Sequence, residues 1–292
     1  ATVHAGEDFR RLIEGLRHIH EAIEAGLVRF GDRLGHAIAL GEDPTSDAER
    51  HAVVAQPLEE RLDDLLWELD RYRSGDLPVD AGRLEAVRAE ALALGRRMYA
   101  PSARDERGFD LGVLVDARRL RHQPEAPLRT GYPYSRATAL THPAYRLMVR
   151  YLTDGDTYER GQWLVEVESR PAEVRMLAAA QAWLRALVGR MELTIESNPS
   201  SNLLVGDMST LARHPAFTLQ PLPGEEAPAG GAVLLSVNTD NPITFSSCLA
   251  DEYAHVYHAL LRHGVRAREA LDWIDRVREN GWRSRITLPA SA

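Results

Sequence analysis

Between residues 8 and 26, apolar side chains recur at Phe9, Leu12, Ile13, Leu16, Ile19 and Ile23, with Leu27 just beyond. That is the 3.6-residue period of an amphipathic helix, and Asp8 stands where an N-cap belongs. Ahead of it, ATV (1–3) has the pattern of the end of a strand, and after it DRLGHAIALG (32–41) predicts a short buried strand running into a loop. The same grammar returns late in the chain. MELTIESNPSSN (191–202) predicts a strand ending in a polar turn, and AVLLSVNTDNP (232–242) a strand that stays apolar until Asn238. Continuous apolar runs suit strands buried in a parallel sheet. Residues 246–262 and 266–279 carry closing helices. Strands alternating with helices across short links predict an α/β fold of parallel βα units, four in number.

The stretch from 42 to 190 has a different pattern, mostly helical. Residues 47–73 predict a helix broken at Pro57, and 80–99 a second one rich in Ala, Leu, Arg and Glu. An irregular region follows with Pro101, Pro124, Pro127, Pro133 and Pro143, and with the aromatic loop RTGYPYSR (129–136). Helices resume at 144–152 and 171–190, the latter opening on Pro171 at a favoured first-turn position. PLPGEEAPAGG (221–231) has the composition of a surface loop. The expected organisation is therefore 1–41, a large insertion over 42–190, and 191–292. An insertion that follows the end of a strand is expected on the side where strand ends gather, as a lid, a specificity wall or an oligomer interface.

Composition narrows the partners. The 292 residues are 44% hydrophobic and 27% charged, with a formal net charge of -8. This balance argues against a nucleic-acid backbone, which is bound by clustered Lys and Arg. Cys248 is the single cysteine, which points to a reducing compartment; a buried small hydrophobe is the plainer reading of it than a catalytic thiol. No run reaches the roughly 20 apolar residues of a membrane span, and no signal peptide is visible, so a soluble cytoplasmic protein is expected.

Chemistry gathers at the predicted strand ends: His4 with Glu7, then His36, then Glu196 with Asn198 and Ser200, then Asn238 with Asp240. In parallel α/β barrels the chemistry sits on that rim. A lone His or Asp at a strand end is ordinarily structural; four such ends together are harder to assign so. Two His, a Glu and an Asp suit zinc or another divalent cation with an acid/base partner. Other histidines carry less. His18 and His20 lie two apart on the first helix and belong to its surface, and His255 and His258 sit on an outer helix. His51, His122 and His142 have no ligand spacing. Arg129, Tyr132, Tyr134 and Arg136 suit a phosphate or base pocket, or a plain surface loop.

HAGE (4–7), LGHA (34–37), IESNPSSN (195–202), HP (214–215), SVNTDNP (236–242) and F..CLADEY (245–253) closely resemble, in order, the motifs of the adenosine deaminase family. The likeness covers residues 1–41 and 191–262. It implies a metal-dependent (β/α)8 TIM-type barrel that removes an amino group from a purine nucleoside or nucleotide by hydrolysis, with Zn2+ as cofactor. His4 and Asp240 correspond to zinc ligands, Glu7 to the acid that protonates ring nitrogen N1, and His36 to the residue that holds or deprotonates the attacking water. Gly6 and Asn241 correspond to substrate-binding positions. Asn241 departs from the family, which has a second aspartate facing purine N7; an amide can still donate there. The family's first-strand His-x-His does not precede His4. The resemblance thus implies the C-terminal half of the barrel, strands five to eight, interrupted by a large, mostly helical insertion. The expected partner is an N-terminal half, covalent or separate, or a second copy. Against the enzyme stand a catalytically inactive deaminase-like scaffold and an amidohydrolase-type reaction on a non-purine amine.

Overall fold

The computed structural model describes residues 2–101, 109–122, 142–205, 208, 210–241, 243 and 247–285. Pro124, Pro127, Pro133 and the loop of Arg129, Tyr132, Tyr134 and Arg136 lie outside the described residues, as do Pro242 and Phe245. Six strands are found among them: β1 (Thr2–Ala5), β2 (Arg33–His36), β3 (Val53–Pro57), β4 (Leu164–Glu168), β5 (Thr194–Ser197) and β6 (Leu234–Val237). The chain divides into two compact units, Ala1–Asp47 with Leu177–Ala292, and Ala48–Met176.

The first unit is α/β. Its sheet has the order β1-β2-β5-β6, every neighbour parallel. Register explains its two faces. Val3, Leu34, Ile195 and Leu235 stand side by side, and Leu34, Ile195 and Leu235 have no exposed surface. Burying each such side chain contributes about 1.5–3 kcal/mol before chain entropy is counted. The opposite face is polar rather than apolar. There Arg33 is paired with Glu196, donates to Ser236 Oγ (2.8 Å) and reaches the Ser284 carbonyl (3.2 Å). Thr2 donates to the other Glu196 oxygen at 2.8 Å.

Helix Leu12–Glu24 buries Leu12, Ile13, Leu16 and Ile19 and packs against β1 and the short turn Ile38–Leu40. It starts three residues later than the Asp8 cap predicts: Arg11 is the extended N-cap residue, with no side-chain cap, and the Glu14 carboxylate accepts the N–H of the preceding Arg10 (2.9 Å). His20 is buried on it against Trp183, ring centroids 5.0 Å apart. The surface reading of the His18–His20 pair therefore fails for His20: the helix is covered on more than one side. Helix Ala267–Arg283 lies along β6, and its Asn280 amide donates to the Leu235 carbonyl (3.2 Å).

The second unit is helical around one antiparallel pair, β3 with β4, in which Val54 faces Val167 and Pro57 faces Leu164. The 47–73 helix of the sequence pattern does break at Pro57: helix Leu58–Ser74 follows it, but helix Pro44–Arg50 and strand β3 take the place of the part before it. The local sequence permits a strand here, and pairing with β4 completes it. Val53 and Val54 are β-branched, and Pro57 pushes the residue before it out of the helical region. The predicted irregular region also holds a helix, Leu111–His122. Leu58, Leu62, Leu65 and Leu66 form the core with Val87, Ala91, Leu94 and Met98. Beside it the fully buried Glu68 carboxylate accepts two bonds from Arg83 (2.8 and 2.7 Å) and one from the Tyr72 hydroxyl (2.7 Å). Burial, and then that carboxylate, hold the Tyr72 phenol well above the usual range. His142 caps helix Pro143–Thr153 by accepting the Ala144 N–H at Nδ1 (3.2 Å).

Among the described residues, no helix is long and apolar enough to cross a membrane.

Candidate active site

The carboxyl ends of β1, β2, β5 and β6 deliver the predicted site residues, since parallel strands all end at the same edge of their sheet. His36 is the hub. It is buried (1% exposed) at the last position of β2, with φ +64°, and Ala37 follows at φ +45°. Two successive non-glycine residues in the left-handed region are costly, and such strain persists only where surrounding contacts impose it. Here the imposing contacts are visible. The Ala37 N–H donates to the Ala5 carbonyl (3.1 Å) and the Ala39 N–H to the Gly6 carbonyl (3.0 Å), which ties the turn after β2 to the turn after β1. From beneath, Gln181 donates to the carbonyls of Ala39 (2.8 Å) and Glu42 (2.6 Å), and Arg185 to that of Leu40. Buried carbonyls that lost their ladder partners are satisfied this way.

Around the His36 ring stand the other predicted residues. Glu7 Oε1 lies 2.8 Å from Nδ1, Asp240 Oδ2 lies 4.0 Å from Nε2, and the His4 ring meets it edge-on with centroids 4.7 Å apart. His4, Glu7 and His36 each place a ligand-type atom within 4.8 Å of the others, the spacing that a metal ion needs. His4 is exposed, Glu7 and Asp240 partly so, and thus the group opens to solvent from a buried floor. Asp240 is steadied by the Ser201 hydroxyl (2.8 Å).

Two glycines make room. Gly35 faces His4 across the sheet, and a Cβ there would lie 2.2 Å from His4 Cδ2. Gly6 turns the chain at φ +71°, where a Cβ would lie 2.4 Å from Ile19 Cδ1. Gly6 is buried, and Asn241 is exposed, its Oδ1 accepting the Ile243 N–H (3.1 Å).

Several residues here have roles that the strand-end pattern does not assign. Asn202 donates from Nδ2 to Glu7 Oε1 (3.2 Å) and contacts His36 Nδ1 (2.7 Å), while its Oδ1 faces His214 Nε2 (3.2 Å). His214 is buried and its pKa is pushed down to about 4, by burial first and then by the charge His36 can carry. Glu252, buried on helix Leu249–Arg262, accepts the Ser200 N–H (3.0 Å) and hydroxyl, capping helix Pro199–Val205 from outside. All three lie within motifs that carry the family resemblance, IESNPSSN, HP and CLADEY, without a role being assigned to them there. Glu196 and Ser200 turn away from His36, to Arg33 and to Glu252. Cys248 is exposed at the cap of its helix, its thiol 3.1 Å from Asp251, so the buried-hydrophobe reading fails: the chain enters this helix on the surface. His255 and His258 are exposed.

A scan against protein-family models finds no match, and no curated protein matches this chain.

Proposed function

We propose that the first unit is the C-terminal half of a TIM-type (β/α)8 barrel and that it carries the site of a zinc-dependent hydrolytic deaminase acting on adenosine or a related purine nucleoside or nucleotide. The observation that carries the reading is the convergence of His4, Glu7 and Asp240 on one buried, strained histidine. Four adjacent parallel strands taken in chain order are what such a half barrel would present. Among the described residues no strand pairs with the outer edges of β1 and β6, and these are where the rest of a barrel, covalent or separate, or a second copy would join.

The donor set fits zinc. Imidazole and carboxylate groups are its usual ligands, and His4, Glu7 and His36 stand close enough to share one ion; Asp240, the second ligand the family resemblance implies, has its Oδ2 4.0 Å from His36 Nε2. His4 and Asp240 would hold it, and zinc when bound lowers the pKa of a coordinated water toward neutrality. The chain's own residues do the rest. Glu7, as a neutral acid, donates a proton to purine N1 while the adjacent carbon is attacked. His36 orients the attacking water from the Asp240 side. Asn241 offers an amide donor to purine N7. The carbon–nitrogen bond then breaks as the added hydroxyl becomes the ring carbonyl and its proton passes to the amino group, which leaves as ammonia.

The test is zinc content of the purified chain together with ammonia release from adenosine and its 5′-phosphate. Near one equivalent of metal with turnover, abolished by Glu7→Gln while metal is retained, supports the reading. No metal and no ammonia, with or without an added partner half, leaves a scaffold.

A further inference from the structure

Apart from the His36 group, the first unit holds a cleft of about 410 Å3 between helix Leu249–Arg262, helix Ala267–Arg283 and the end of β6. Clefts of about 300–1,000 Å3 take small organic ligands. Val237, Leu249 and Trp282 give it an apolar wall. Gly281 lets the second helix close on β6, where a Cβ would lie 3.2 Å from Ser236 Cβ. The polar side is cationic. Arg33, Arg278 and Arg285 line it, and among the described residues no acid does, in a chain whose net charge is -8. The three arginines are not equivalent. Arg33 is already paired with Glu196. Arg278 pairs with Asp275 (3.2 Å) where both side chains are largely exposed, and such a surface pair is worth little. Arg285 pairs with no acid among the described residues. Its guanidinium lies over the Trp282 ring, 3.2 Å from the centroid, and its Nε donates to the Trp282 carbonyl (3.1 Å). The ring thus holds a planar fork whose outer N–H groups stay unbonded. Tyr253 lines the cleft too, and its hydroxyl has no hydrogen-bond partner among the described residues. Burial holds that phenol above its usual pKa, against the pull of Arg278, so it remains a donor.

We propose that this cleft is a ligand site for an oxyanion carried on a flat apolar ring, of the class of a nucleoside monophosphate or an aryl carboxylate. Arg278, Arg285 and Tyr253 donate to the anion, since an arginine fork matches phosphate and carboxylate alike, and Val237 and Leu249 pack on the ring. None of these residues belongs to the His36 group, so the site stands whether or not the first unit deaminates. The cleft borders the outer edge of β6, and a barrel half joined there would run across it; binding is therefore measured on this chain without a partner.

Isothermal titration calorimetry with uridine 5′-monophosphate and with 1-naphthoate supplies the two sources of that chemistry, and the tighter one names the source. A Kd below about 1 mM is expected for at least one of them at low salt. Inorganic phosphate and uridine, each lacking one half of the ligand, should bind at least about ten-fold more weakly. Arg278→Gln and Arg285→Gln should each weaken binding about ten-fold, as loss of a charged hydrogen bond does, with the melting temperature unchanged because neither side chain is buried. Glu7→Gln should bind as the wild type does. The proposal is overturned if neither ring-bearing anion binds, if inorganic phosphate binds as tightly as they do, if the folded double variant Arg278→Gln/Arg285→Gln binds like the wild type, or if Glu7→Gln removes the binding. Ammonia release from adenosine, measured in parallel, reports on the deaminase reading alone.

Discussion

Replacing Gly35 by alanine adds one carbon to a strand that is otherwise unaltered. That carbon would lie 2.2 Å from His4 Cδ2 and 2.8 Å from its Nε2, against ordinary contacts of 3.4 Å and more. His4 must therefore withdraw by about 1.2 Å, and being exposed it can do so by rotating outward. The fold should lose little, about 1 kcal/mol or less, because overpacking of this kind costs most where nothing can move. The site should lose much more. Metal ligands must sit within about 0.2 Å of their ideal distances, and a displacement of about 1 Å at a reacting centre costs roughly 100-fold. Competition of the chain with a chromophoric chelator for zinc, alongside a thermal melt, reads both quantities. A zinc affinity reduced about 10- to 100-fold with a nearly unchanged melt is the expected result. If Gly35→Ala holds zinc within two-fold of a zinc-binding wild type, His4 is not a ligand and the convergence of residues on His36 has another purpose.

Three further outcomes follow from the same geometry. His214, whose ordinary pKa of 6.5 falls to about 4 on burial, binds its proton more readily unfolded than folded, so its contribution to stability is complete above pH 6.5 and is lost as pH falls toward 4. The loss is on the order of 3 kcal/mol at most; urea melts between pH 7 and 4 should show a shallower acid decline in His214→Phe, and an equal decline would refute the assignment. Glu252→Ala strips the Ser200 N–H and hydroxyl of their acceptor and should lower stability by about 1–2 kcal/mol in the same assay, whereas a change below a few tenths would show that water replaces the cap. Glu68→Leu leaves the buried Arg83 guanidinium with only the Glu173 carboxylate, 3.5 Å away, and should cost up to about 3 kcal/mol, read as the melting temperature of the chain; a melt within a degree of wild type would mean that Glu173 alone compensates that charge.

The sequence by itself determined what depends on neighbours in the chain. The 3.6-residue period placed helices at 8–26, 80–99 and 171–190, found at Leu12–Glu24, Ala81–Tyr99 and Pro171–Arg190, and runs of apolar residues ending in polar turns placed the four parallel strands. It also marked His4, Glu7, His36 and Asp240 as strand-end residues of ligand type, because parallel strands must share one edge for their ends. Where local signals competed, tertiary structure decided. Residues 53–57 became a strand because β4, more than a hundred residues later, was there to pair with. His20 became buried because Trp183 lay across it. The polar face of the sheet came from Arg33 meeting Glu196, a pairing that no local pattern announces. The distances around His36, and the contact of Asn202 with His214, exist only once four strand ends and two loops are brought together. Hydrogen bonds of this kind depend on positions to within a few tenths of an ångström, and chain spacing carries no such information across long loops.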